Sequence, residues 1–375
     1  MDVVRVTGIA KRLAGASGWS EPEYIDNGAS AAVFKVLIEG KPAALKIYDP
    51  DFFVGDNALI EEGRIALQQE LVGHDCPFLV DVHKAGRIEE DGTWYLLMEF
   101  CPWKSLERTL DKVPDAKVHH LLKQLVYAVK YLQNRGFVHR DIKPANIVVS
   151  DDFEALKLLD FGVLRRIAHD EGSGTDVYNF IATAQYSPPE FLERNEMPGE
   201  EGFNAINIYQ VGAVLHDLIV KAPLFAEEKA TRNKFILYKA VTEKSPRVIS
   251  AGVPPRLIGL CVASLVKDPK VRAKSVSLDN FAADADSPDD IRRRLARTGP
   301  TAPRASAFRL SEWKAKLRSW ARAAAQLEAA ALGAVHIESG VRDGVYRLSL
   351  QFRSANVIVY IDAVPNADSC QIYVL

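Results

Sequence analysis

Cysteine is scarce in this chain. Its 375 residues contain four, Cys76, Cys101, Cys261 and Cys370, and they lie far apart with no paired spacing. That argues against a disulfide framework or a cysteine-built zinc site and predicts reduced thiols in a cytoplasmic protein. Long hydrophobic runs are missing too. No stretch reaches about 18 apolar residues and the start does not read as a secretion signal, so no transmembrane segment is expected. Nor is there an excess of one charge: 47 Lys and Arg against 49 Asp and Glu leave a formal net charge of −2, so no whole-molecule field points to nucleic acid. With 48% hydrophobic and 26% charged residues, the composition is that of an ordinary globular protein. The length allows two or three domains, or a large bilobal enzyme that takes most of the chain.

Chemistry is concentrated between Phe137 and Gly162. Two short apolar runs, Ile147–Val149 and Leu156–Leu159, flank a turn, and each adjoins a loop that carries a carboxylate. Asp141 could accept the proton of an incoming hydroxyl, and Lys143, two residues on, could reach a phosphoryl group in transfer. Asn146 and Asp160 offer the hard oxygen donors that Mg2+ prefers. Phosphoryl transfer needs positioning and charge neutralisation more than covalent help, and this set supplies both.

The blocks His139-Arg140-Asp141-Ile142-Lys143-Pro144-Ala145-Asn146 and Asp160-Phe161-Gly162 resemble the catalytic and metal-binding loops of eukaryotic-type (Hanks-type) Ser/Thr protein kinases. The resemblance runs from about Tyr24 to Phe281. It implies an α+β, bilobal protein-kinase fold, with a β-rich N-lobe at 23–100, a helical C-lobe at 101–282, and ATP with Mg2+ between them. By the same resemblance Lys46, in the strand-like run Ala43–Tyr48, holds the α- and β-phosphates and pairs with a glutamate of the next helix. Glu62 has the best spacing there, with Glu61 and Glu70 as alternatives. Met98 resembles the gatekeeper, Glu99 to Cys101 the hinge that bonds adenine, and Val33, Ala44 and Val148 the apolar walls around the base. Gly28 is what remains of the phosphate-covering glycine loop, whose first and third glycine positions hold Asp26 and Ala31. Lys143 within its block favours Ser or Thr over Tyr as acceptor.

Farther along, Ala182–Glu190 resembles the substrate-docking segment. Thr183 is implied to bond near Asp141 and Lys143, and Arg272 to pair with Glu190. The polar run before it carries Ser173 and Thr175, candidates for phosphorylation that would order the loop against the Arg140 cation. Asn207 stands where the family usually has Asp, a group that accepts backbone hydrogen bonds from the catalytic loop. Its carbonyl oxygen can still accept, but without charge assistance. The worn glycine loop and Asn207 also keep open a pseudokinase, a nucleotide-binding scaffold that signals through its C-terminal module.

Residues 1–22 read as an extension, an extra strand or a short cap, without assigned chemistry. Residues 283–310 read as a linker. Residues 311–375 read as a small α+β module, with a helix from Ser311 marked by Trp313, Leu317, Trp320, Ala324, Leu327 and Ala331, then two or three strands. From Arg292 to Arg322 ten Lys and Arg accompany one Glu. This is a solvated basic face, or a site for an acidic protein, a nucleic acid or an anionic membrane surface. The remaining expected partner is a protein substrate.

Overall fold

The fold is that of a computed structural model, which describes residues 1–28, 30–54, 58–161, 164–166, 184–284 and four strands between 336 and 374. It divides into two compact units, Met1–Val253 with Leu260–Ala282, and Pro254–Gly259 with Ala283–Leu375.

The first unit begins with helix α1 (Val3–Ser17) and strands β1 (Glu23–Asn27), β2 (Ala31–Ile38) and β3 (Lys41–Tyr48). Helix α2 (Ala58–Gln69) and strands β4 (Val82–Ile88) and β5 (Thr93–Glu99) follow. The strands form one antiparallel sheet in the order β1-β2-β3-β5-β4. β2 and β3 meet at Glu39 and Gly40, whose φ angles of 52° and 77° belong to the tight hairpin turn that matches strand twist.

Alternation along β3 gives the sheet two faces. Phe34, Val36, Leu45, Ile47, Tyr95 and Leu97 point one way and pack against Val6, Ile9 and Ala10 of α1 in a single core. The register places Val33, Ala44, Lys46 and Met98 on the opposite face. Residues 1–22 therefore begin with a helix, where the sequence predicts a strand or short cap. Asp2 caps it by accepting from the Val4 and Arg5 amides, and Gly18 ends it at φ 70°.

The helical lobe contains β6 (Lys104–Ser105), α3 (Asp115–Asn134), β7 (Phe137–Val138), β8 (Ile147–Val149), β9 (Leu156–Leu158), β10 (Arg165–Arg166) and the helices α4 (Pro189–Glu193), α5 (Gly199–Val220), α6 (Ala226–Ala230), α7 (Lys234–Glu243), α8 (Pro255–Ser264), α9 (Pro269–Ser275) and α10 (Leu278–Ala282). On α3 the periodic residues Leu121, Leu122, Leu125, Ala128, Val129 and Leu132 are all buried. α5 is buried along almost its whole length, and the catalytic loop lies over it. The β6-β8-β9 sheet presents the two functional loops: Leu159 N donates to Asn146 O at 2.8 Å, which ties them together where they leave the strands.

In the second unit β11 (His336–Arg342), β12 (Val345–Gln351), β13 (Asn356–Ala363) and β14 (Cys370–Val374) form an antiparallel meander. In register across three strands stand Ile337, Leu350 and Val357, then Leu348, Val359 and Val374, and then Tyr346, Ile361 and Ile372. The sequence predicts two or three strands here, and β11 adds a fourth. The helix expected from Ser311 and the basic segment Arg292–Arg322 lie outside the described residues. No helix among the described residues is long and apolar enough to cross a membrane.

Candidate active site

Asp141 lies on the loop after β7, which the backbone bends sharply. Arg140, just before it, has φ 68°, and Asp160 on the neighbouring loop has φ 59°. Left-handed conformations cost a non-glycine residue about 1–3 kcal/mol and persist only where surroundings enforce them. The surroundings here are specific. His139 Nδ1 lies 3.3 Å from the Asp141 amide and Nε2 lies 3.0 Å from Leu159 O, so the ring carries its proton on Nε2 and joins the two loops. Burial lowers the His139 pKa and keeps the imidazole neutral in that role. Phe161, fully buried, packs edge-on against the same ring at 5.8 Å.

The carboxylate of Asp141 is used asymmetrically. Oδ2 accepts from Lys143 Nζ at 2.8 Å and from Asn146 Nδ2 at 2.9 Å, and Asn146 Nδ2 also reaches the Asp141 carbonyl at 2.9 Å. Oδ1 is buried with no hydrogen-bond partner among the described residues. An unpaired buried acceptor costs about 1–3 kcal/mol, which a hydroxyl donor would recover.

Lys46 reaches across from β3, and its Nζ is 2.7 Å from Asp160 Oδ1. Burial alone would pull the Lys46 pKa down. The Asp160 carboxylate and Tyr48 outweigh it and hold the ammonium above the ordinary lysine value. Glu62, the expected partner in α2, has its Oε1 3.8 Å from Arg87 NH2 on β4. Helical spacing explains this. The buried stripe of α2 runs through Arg64, Ile65 and Gln68. Glu62, six residues before Gln68, is about a third of a turn around the helix at 3.6 residues per turn. Gln68 and Ile65 of α2 meet the Lys46 face: Ile65 packs with Ala31 and Tyr48, and Gln68 donates to Tyr48 Oη at 3.3 Å. Glu70 is exposed, and the Glu61 side chain lies outside the described residues.

Asn146 commits its amide nitrogen to Asp141, which leaves a carbonyl oxygen as its ligand atom, and Asp160 supplies a carboxylate that is 43% exposed. These hard donors suit Mg2+, which takes one or two protein oxygens and completes its shell with phosphate and water. Val33, Ala44 and Met98 share the Lys46 face, so the sheet offers an apolar wall beside a cation, as a nucleotide requires.

The family profile described as Protein kinase domain matches residues 19–280, well over half of the chain. The chain belongs to the protein kinase family. It is 28% identical over 206 residues to a probable serine/threonine-protein kinase of Streptomyces coelicolor, covering 53% of this chain and 29% of that protein. It is 27% identical over 270 residues to a probable serine/threonine-protein kinase PknB of Bifidobacterium longum, 68% of this chain and 37% of the other. To the serine/threonine-protein kinase PknA of Mycobacterium tuberculosis it is 28% identical over 243 residues, 63% of this chain and 53% of the relative. The matched part thus covers well under two thirds of each of these relatives.

In the kinase domain Glu99, at the expected hinge, is fixed from both lobes. Its amide donates to Asp81 O at 2.8 Å, while its carboxylate accepts from the Asp81 amide and from Lys157 on β9. Burial, with the Glu99 charge added, pushes the Cys101 thiol up to about 12, so it is no nucleophile. Val148 is buried in β8, opposite Ser105 and Lys157. At the glycine loop the Gly28 amide donates to Ala31 O at 2.9 Å. The Asp26 carboxylate is exposed and 4.0 Å from Arg108. Glu190 and Arg272 form a buried ion pair, and Arg272 also donates to the Ala205 and Val266 carbonyls. Thr183, Ser173 and Thr175 lie outside the described residues.

The sequence reading missed Tyr48 and Gln68, the hydroxyl and amide behind Lys46. The only signal was two polar residues at buried positions of a strand and a helix, and spacing gives those no role. Asn207 departs from its expected part. Its Oδ1 is buried without a hydrogen bond among the described residues, and the loop backbone bonds instead to Gln210, one turn later on α5.

Proposed function

We propose that this chain is an ATP-dependent Ser/Thr protein kinase that moves the γ-phosphoryl group of Mg-ATP to hydroxyls of proteins. The observation that carries the reading is the divided use of Asp141: Oδ2 is held by Lys143 and Asn146, and Oδ1 has no hydrogen-bond partner among the described residues. A serine or threonine hydroxyl donating to Oδ1 turns its lone pair toward the γ-phosphorus. The bond from hydroxyl oxygen to phosphorus forms, the bond to the β-bridging oxygen breaks, and the hydroxyl proton passes to Asp141 as ADP leaves. Lys143 balances charge on the transferred group, and Lys46, charged throughout, fixes the α- and β-phosphates. Mg2+, held by Asn146 and Asp160 when bound, supplies neutralisation of the phosphate charge. Ser or Thr rather than Tyr as acceptor is supported by the residues Asp141–Asn146 and by the names of the relatives.

The same proposal takes Thr183 as a neighbour of Asp141 and Lys143, and Ser173 or Thr175 as sites of autophosphorylation. Residues 283–310 serve as a linker to a module at 311–375, and Arg292–Arg322 as a basic segment for an acidic or anionic partner. Thiols without disulfides at Cys76, Cys101 and Cys261 support a reducing, cytoplasmic setting. The competing scaffold reading draws on the worn glycine loop and on Asn207, whose Oδ1 makes no hydrogen bond among the described residues. Incubation of the purified chain with γ-labelled Mg-ATP separates the two. The kinase reading expects phosphoserine or phosphothreonine on the chain or on an added protein, lost in Asp160→Ala. Nucleotide binding without any label transfer would leave the scaffold.

A further inference from the structure

The peptide groups on either side of Asp141 share one side chain. Gln210 of α5 is fully buried. Its Nε2 donates to Arg140 O at 2.8 Å, and its Oε1 accepts from the Ile142 amide at 3.4 Å. Between them the Asp141 amide is taken by His139 Nδ1 at 3.3 Å. Arg140 O, Asp141 N and Ile142 N are thus bonded in sequence, two of the three by a single amide. Asn207, one turn earlier on α5, is as deeply buried, yet its Oδ1 makes no hydrogen bond among the described residues.

Asn207 and Gln210 are both primary amides, and Gln210 reaches one methylene farther. The loop presents one carbonyl and one amide to α5, so its anchor must both donate and accept. A carboxylate only accepts; a primary amide does both. Gln210 meets both demands and is rigid at its base, because α5 is buried around it. The left-handed Arg140, whose guanidinium stacks on Phe191 at 4.6 Å, has a backbone that needs such a hold.

We infer that Gln210 is the positioning residue of this active site, fixing Asp141 by clamping the peptide groups before and after it, a task that position 207 has given up. The inference rests on the kinase reading for its effect on rate, and on the hydrogen bonds alone for its effect on the loop. Gln210→Met keeps the volume and removes both bonds. A shift of about 1 Å at a reacting group can lower a rate about 100-fold. Gln210→Met is therefore expected to lower kcat for phosphoryl transfer by about 10- to 100-fold, with KM for ATP within about threefold of wild type. Amide exchange over 139–147 should quicken, while exchange over β3 stays unchanged. Unaltered kcat together with unaltered loop exchange would overturn the inference, and so would losses shared equally by kcat, ATP affinity and β3 exchange, the mark of a merely structural residue. Wild-type protein that transfers no phosphoryl group would count against the proposed function only, and loop exchange would still decide the role of Gln210. If Gln210→Met proves too unstable to purify, exchange in the wild type decides: an Ile142 amide that exchanges as fast as an open loop contradicts the clamp, and a protected one upholds it.

Discussion

The substitution Ile9→Ala tests whether the N-terminal helix is part of the kinase domain. Ile9 is 1% exposed and lies in one core with Phe34, Val36, Leu45 and Ile47. Truncating a buried isoleucine costs about 2–5 kcal/mol, the transfer of the lost methyl groups plus the cavity they leave. The sheet on one side is held by strand pairing and cannot collapse inward, so a value of about 3 kcal/mol is reasonable. For a domain of this size each kcal/mol shifts Tm by about 2–4 °C, which gives a drop of about 6–12 °C. Val4 on the same helix is 83% exposed, and Val4→Ala should stay within about 0.5 kcal/mol of wild type. The effect reaches the active site as well. Leu45 and Ile47 flank Lys46, so slackening the outer face of β3 should weaken ATP binding in Ile9→Ala and leave it unchanged in Val4→Ala. Calorimetry and nucleotide titration on the two variants read both effects. Equal Tm values for the pair, or an Ile9→Ala shift under 1 °C, would refute the packing account.

Three other outcomes follow from the geometry. Tyr48→Phe keeps the ring and deprives the buried Gln68 amide of its acceptor, so stability should fall by about 1–3 kcal/mol and KM for ATP should rise; denaturation and steady-state kinetics check both. Arg272→Met strands the Glu190 carboxylate, whose pKa burial already raises against the pull of Arg272. A loss of about 3–5 kcal/mol in urea unfolding is expected, and a smaller loss when Glu190→Met is added. Burial, with Arg272 adding to it, pushes the Lys267 pKa down to about 8 from 10.5. Below pH 8 both folded and unfolded chains carry the proton and the penalty is complete. From pH 8 to 10.5 the folded chain sheds its proton first and stability recovers. Lys267→Met should therefore be more stable than wild type at pH 7, with the advantage shrinking by pH 10; a constant difference across that range would contradict the assignment.

The catalytic loops were legible because their chemistry is local. Asp141, Lys143 and Asn146 fall within six residues, and the short hairpin from Ile147 to Leu158 brings Asp160 alongside. α3 could be read because its leucines keep helical spacing without interruption. α1 was not, since Gly8, Gly15 and three valines lower helix propensity and obscure the stripe of Val6, Ile9, Ala10 and Ala14. β11 was missed because its two aliphatic residues, Ile337 and Val341, stand four apart instead of alternating. The bond from Gln68 to Tyr48 on the Lys46 face could not be read, because it depends on how α2 is rotated against the sheet, a tertiary quantity. Gln210 escaped for a similar reason: the loop it clamps is about seventy residues earlier in the chain.

The central claim concerns a single oxygen, Oδ1 of Asp141, buried beside a lysine and an asparagine that already hold its twin. Asp141→Asn keeps the shape of the side chain and removes the base, so transfer from labelled Mg-ATP should fall at least about 100-fold while nucleotide affinity stays within about threefold. Transfer at the wild-type rate by Asp141→Asn, or a loss of nucleotide affinity as large as the loss of rate, would contradict the account.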